Sequence, residues 1–134
     1  PNPMLVMCSE ALAGLGVPVH KIKRELFGAP DDVTKVPGWP SSVKRKAVFK
    51  VTLGDVTFDA PAVEPLLNAM ERAGVVAPAT CRSGACSACR SKVLEGEVFA
   101  PPQSRVRISD RGRGFVHPCL SYPISDLEME LISG

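Results

Sequence analysis

The chain has 134 residues, 45% of them hydrophobic and 22% charged, with a formal net charge of +2. That length suits one compact domain with some extra material, and that composition is globular rather than disordered. The charge is too small to mark a nucleic-acid binder, and no apolar run is long enough to span a membrane. No basic stretch followed by an apolar core and a cleavage site opens the chain, so no secretory signal is read and a cytoplasmic protein is expected. Pro1 stands where an initiator methionine would. A fragment, an engineered piece or a processed product is expected.

Met4, Leu5, Cys8, Ala11, Leu12 and Leu15 recur at helical spacing, which predicts an amphipathic helix over residues 2–16. Pro3 suits its first turn, and Gly14 and Gly16 suit its end. Ile22 to Phe27 is predicted as a short strand. This piece cannot bury its apolar face alone, so it must pack on the downstream domain or on a partner beyond the chain. Residues 28–43 read as a semi-rigid linker, broken by Gly28, Pro30, Pro37, Gly38 and Pro40. Trp39, the only tryptophan, is expected to pin that linker to a surface.

From Lys44 the period changes to two. Ala47, Phe49, Val51 and Leu53 predict a strand, Gly54-Asp55 a turn, and Val56 and Phe58 a second strand. Pro61 is expected to open a helix with Val63, Leu66, Leu67 and Met70 on one stripe and Gly74 at its end. Strands follow at Arg90 to Leu94, at Phe115-Val116, and at Leu127 to Leu131. The order predicts an α+β domain, a mixed sheet wrapped over one helix.

Cysteines carry the chemistry. Cys81, Cys86, Cys89 and Cys119 follow the pattern C-x4-C-x2-C, then twenty-nine residues, then C. That asymmetric spacing is the one a plant-type [2Fe–2S] cluster uses. Small residues fill the loop between the first three. Gly84 can take positive φ, and Ala85, Ser87 and Ala88 leave room for backbone amides to approach sulfur. Arg82 and Arg90 flank the loop and would favour the more negative reduced state, at a potential of order −400 mV or somewhat higher. Structural zinc normally uses two C-x2–4-C pairs, and here the second is missing. The bacterial four-iron pattern is absent. A Rieske site would need two histidine ligands where four cysteines already complete the set. A redox disulfide at Cys86 and Cys89 would leave Cys81 and Cys119 unexplained. Cys8, the fifth cysteine, is expected to be a buried inert thiol. His117, two residues before Cys119, reads as a structural histidine. No nucleotide-binding glycine motif and no Ser-His-Asp arrangement is present, so no catalytic residue is assigned.

Residues 44–134 resemble the plant-type ferredoxin family. The likeness rests on the cysteine pattern, on Gly114-Phe115-Val116 before Cys119, and on Ser121-Tyr122-Pro123 with Ser125-Asp126 after it. It implies the β-grasp (ubiquitin-like) fold and the cluster-ligand role for Cys81, Cys86, Cys89 and Cys119. Residues 1–27, with Pro1-Asn2-Pro3-Met4 and Leu15-Gly16-Val17-Pro18, resemble the tail of the NAD(P)-binding domain of ferredoxin-reductase-type flavoproteins. This second likeness implies a longer parent, an NAD(P)H-dependent flavin/iron–sulfur oxidoreductase with FAD or FMN bound upstream. The organisation expected is therefore a reductase remnant (1–27), the linker (28–43) and a ferredoxin domain (44–134) with the helix-strand extension before it.

The function expected is one-electron transfer from the linked flavin/NAD(P)H module to a terminal acceptor such as an oxygenase. The segment alone is not expected to turn over a substrate. Photosynthetic ferredoxins are acidic around the cluster, whereas here Arg105, Arg107, Arg111 and Arg113 crowd the approach to Cys119. That points to a fused domain or to an acceptor with an acidic face. Two alternatives stand beside it: a free-standing soluble ferredoxin, and a zinc-stabilised interaction module with no redox role.

Overall fold

A computed structural model describes residues 2–18 and 28–132. The strand expected at Ile22 to Phe27 lies outside those residues. Helix α1 (Asn2–Gly14) forms as the spacing predicts. Met4, Met7 and Leu12 on it are exposed, however. Cys8 is exposed too, which corrects the expectation of a buried thiol. Periodicity says which residues share a helix face, but not whether anything packs on that face.

The ferredoxin-like part is built on a hairpin. Strands β1 (Val48–Leu53) and β2 (Val56–Pro61) pair antiparallel, with Leu53 opposite Val56 across the two-residue turn. Gly54 takes φ +61 there, the conformation such turns require. β2 runs on to Pro61, which faces Val48 at the end of the ladder. Pro61 therefore closes a strand and does not open the helix. Helix α2 (Leu66–Arg72) starts after Pro65. Its first amide, Leu66 N–H, is satisfied by the Ser121 carbonyl at 2.8 Å. The helix ends as expected at Gly74 (φ +84). Val75 N–H reaches the Met70 carbonyl and Gly74 N–H the Glu71 carbonyl, both at 3.0 Å, a Schellman cap.

Strands β3 (Ser91–Glu95), β4 (Val98–Phe99), β5 (Phe115–Val116), β6 (Tyr122–Pro123) and β7 (Leu127–Leu131) complete the sheets. The main sheet has the order β2-β1-β7-β3-β5, and β4 pairs with β6 in a small second sheet. β7 runs parallel to β1 and antiparallel to β3, so the sheet is mixed. Helix α2 lies against this sheet, giving the α+β arrangement of the β-grasp. A short helix α3 (Ile108–Arg111) and a 3-10 turn (Pro118–Leu120) flank β5. The pattern did not predict α3, β4 or β6.

Two apolar clusters share α2. Val51, Ala60, Leu66, Ala69, Val116, Leu127 and Met129 form the sheet–helix core. Leu67 turns to the other side and packs with Cys89, Cys119 and Leu120. Adjacent helix positions diverge by about 100°, so Leu66 and Leu67 serve different clusters. The same helix thus anchors the fold and supports the cysteine region.

Residues 28–47 are fastened at a few points. Asp32 caps a 3-10 turn (Val33–Lys35) by accepting Thr34 N–H at 3.1 Å, and Val33 is buried. Arg45 pairs with Asp32 at 2.7 Å. Its guanidinium, with the Thr34 hydroxyl, lowers the Asp32 carboxyl to about 2. Trp39 sets its ring edge-on to Phe99 and Tyr122, at 5.3 and 6.4 Å between centroids, and donates from Nε1 to the Val43 carbonyl at 3.2 Å.

Candidate metal centre

The loop after α2 carries three of the four cysteines, and the 3-10 turn after β5 carries the fourth. Cys81 and Cys86 are exposed, whereas Cys89 and Cys119 are buried. All four thiols are free. Backbone amides point at three of the sulfurs. Ser83 N–H and Cys86 N–H donate to Cys81 Sγ at 3.3 and 3.4 Å. Gly84 N–H donates to Cys119 Sγ at 3.2 Å, and Ala88 N–H to Cys86 Sγ at 3.4 Å. The loop pays for this shape in backbone strain, since Arg82 (φ 53) and Ser87 (φ 63) are, among the described residues, the non-glycine ones with positive φ.

Gly84 is where the two cysteine segments meet. It is buried with φ +75, and a Cβ there would come within 2.8 Å of Leu120 Cδ2 and 3.2 Å of Ser104 Cα. The small-residue content of the loop announced that backbone would come close. Leu120 and Ser104 as the opposing walls were not readable from it. The Gly84 carbonyl accepts Arg105 N–H at 2.8 Å and lies 2.9 Å from His117 Nδ1. His117, read in the sequence as structural, therefore touches the cysteine loop directly.

Thiol acidities follow from these neighbours. Partial desolvation raises Cys81, but the Ser83 hydroxyl and the amides of Ser83, Cys86 and Ala85 outweigh it and lower the thiol to about 5. Buried Cys119 packs beside Cys89, with which it shares its proton. That neighbour lowers Cys89 to about 7 and, with burial, pushes Cys119 up. Cys81 and Cys89 are thus favoured as thiolates, whereas Cys119 is favoured as the thiol.

The flanking arginines are tied elsewhere. Arg82 binds both carboxylate oxygens of Glu71. Arg90 binds both oxygens of Asp110 and lies 3.7 Å over the Phe115 ring. Much of the positive charge expected to favour a reduced site is therefore balanced locally. The amides remain the donors in direct contact with sulfur. Glu71 beside it raises the pKa of Arg82.

The donor set suits a binuclear iron centre better than one ion. Among the described residues, no three Cys, His, Asp or Glu side chains converge closely enough to hold a single metal ion. A tetrahedral zinc needs every sulfur at about 2.3 Å from one point. A [2Fe–2S] cluster divides four thiolates between two irons, two to each, which four cysteines supply. Amides directed at sulfur are the outer contacts such a cluster uses.

Residues 50–123 match the model of the 2Fe-2S iron-sulfur cluster binding domain family. Ferredoxin-2 of Synechococcus sp. is 36% identical over 74 residues, which are 55% of this chain and 70% of that protein. The ferredoxin reductase component of 3-ketosteroid-9-alpha-monooxygenase from Mycobacterium tuberculosis is 29% identical over 94% of this chain, which spans only 36% of that protein. Among solved structures, the Amycolatopsis reductase GcoB superposes with a TM-score of 0.58 at 31% identity. That match covers 63% of this chain and 26% of GcoB.

Proposed function

Because this chain belongs to the 2Fe-2S iron-sulfur cluster binding domain family, we propose that Cys81, Cys86, Cys89 and Cys119 hold its cluster and that the domain passes single electrons between redox partners. A bound [2Fe–2S] cluster supplies reversible uptake of one electron. The chain's own residues do the rest. Ser83, Gly84, Cys86 and Ala88 direct amide dipoles at sulfur, where negative charge grows on reduction. Leu67 and Leu120 wall off Cys89 and Cys119 from water. Cys81 and Cys86 lie at the exposed side, where a redox partner can approach.

Four free thiols, three of them held by backbone amides, are the observation that carries this reading. The donor is a flavin/NAD(P)H module upstream, of which residues 1–27 are the tail and 28–43 the connection. The alignment with the monooxygenase component supports this, since it runs through nearly the whole of this chain rather than the ferredoxin part alone. An oxygenase is the acceptor that fits, and the cytoplasm, where thiols stay reduced, is the compartment that fits.

Iron and sulfide analysis of protein purified without oxygen, with electron paramagnetic resonance after dithionite, tests the assignment. Two irons and two sulfides per chain and a one-electron signal are expected. Cys119→Ser should yield largely iron-free protein. A colourless wild type with stoichiometric zinc, or a Cys119→Ser variant of unchanged colour and spectrum, would sink the ligand assignment. In the longer parent, NAD(P)H should bleach the cluster through bound flavin. Failure there with flavin present removes the reductase module from the proposal.

A further inference from the structure

His117 is 2% exposed and does not belong to the sulfur set. Its Nδ1 lies 2.9 Å from the Gly84 carbonyl oxygen. A carbonyl oxygen only accepts, so that ring nitrogen carries the proton and donates. Its own carbonyl accepts Leu120 N–H at 2.9 Å and the Ser121 hydroxyl at 2.8 Å, so the residue is held at both ends. Gly84 in turn donates its amide to Cys119 Sγ at 3.2 Å. The contacts close a ring: His117 side chain to Gly84 carbonyl, Gly84 amide to Cys119 sulfur, and two residues of backbone back to His117.

Nothing intrinsic to glycine holds such a ring. Gly84 sits at φ +75, one of many conformations open to it. Arg105 N–H supplies a second donor to the same carbonyl. Cys119 is buried, so an amide turned away from its sulfur is not replaced by water. We propose that His117 is a positioning residue that keeps the Gly84 amide on Cys119 Sγ and so raises the reduction potential of the centre. This rests on the cluster assignment above. Amide donors to sulfur stabilise the more negative, reduced state more than the oxidised one. Losing the His117 donor therefore favours the oxidised state.

The competing role is plain space-filling by a buried ring, and two substitutions separate them. His117→Leu keeps apolar volume and cannot donate. His117→Asn carries an amide nitrogen near the place of Nδ1 and can. Midpoint potential is measured by dye-mediated titration, cluster retention by the decay of visible absorption under chelator, and folding by Tm. His117→Leu is expected to be more negative than wild type and to bleach severalfold faster. His117→Asn is expected to restore both. His117→Leu with full iron and sulfide at the wild-type potential overturns the proposal while leaving the four-cysteine assignment intact. His117→Asn shifted as far as His117→Leu overturns it as well, since volume rather than the donor would then matter. If His117→Leu does not fold, His117→Asn decides alone: a wild-type potential supports the role and a lowered one refutes it. A wild type that takes up no iron refutes both readings together.

Discussion

Gly84 shows how much a single position can carry. Its missing side chain admits Leu120 and Ser104, its φ is left-handed, and both halves of its backbone are engaged. Gly84→Ala should cost about 2–4 kcal/mol, from left-handed strain plus overpacking. Gly54 is the control, since it too has positive φ but nothing within 4 Å of a built Cβ. Gly54→Ala should cost only the conformational part, about 1 kcal/mol. Denaturant unfolding of the two variants checks the difference, and equal losses would show that the contact with Leu120 is not constraining. The glycine was legible in the sequence as a residue free to turn. Its wall was not, because Leu120 is 36 positions away and reaches it only through the fold.

At the scale of elements, helix ends and strand ends obey local chemistry unevenly. Gly74 ended α2 as its residue type predicts, whereas Pro61 was claimed by the β-ladder. A proline tolerates either a first helical turn or a strand end, and only pairing with Val48 decides. The segment 28–47 makes the same point. Its prolines and glycines announce irregular backbone, yet Val33 is buried and Trp39 locks onto the small β4–β6 sheet. Trp39→Ala removes two edge-on aromatic pairs and should cost about 1–3 kcal/mol. Limited proteolysis should then cut within residues 28–47 faster than in wild type. Unchanged cleavage there would mean that Trp39 does not fasten the segment.

For the whole molecule, charge is arranged rather than merely summed. Arg82 and Arg90 are spent on Glu71 and Asp110. Arg105, Arg107, Arg111 and Arg113 are exposed, and the ion pairs among the described residues take in none of them. Arg105 sits one hydrogen bond from the cysteine loop, so this basic face adjoins the centre. Such a face speeds encounter with an anionic partner and loses effect as salt rises. Oxidation of the dithionite-reduced protein by ferricyanide gives a direct readout. Reversing Arg105, Arg107 and Arg113 to Glu should slow it roughly tenfold at low salt, with the gap closing above 0.5 M as screening takes over. A gap independent of salt would show that the arginines act by structure and not by field.

The cysteine spacing, the small residues between the first three, and the change of period at Lys44 determined the chemistry and the fold class without any coordinates. They could do so because ligand count, steric room and face periodicity are local properties of the chain. Tertiary structure decided the rest: that Cys89 and Cys119 are buried while Cys81 and Cys86 are not, that Gly84 bridges two distant segments, and that His117 reaches the loop. It also decided that the flanking arginines are already paired and that the face of α1 bearing Cys8 stays uncovered. Each of these depends on which parts of the chain meet, and contact between residues 11 to 35 positions apart leaves no periodic trace in the sequence.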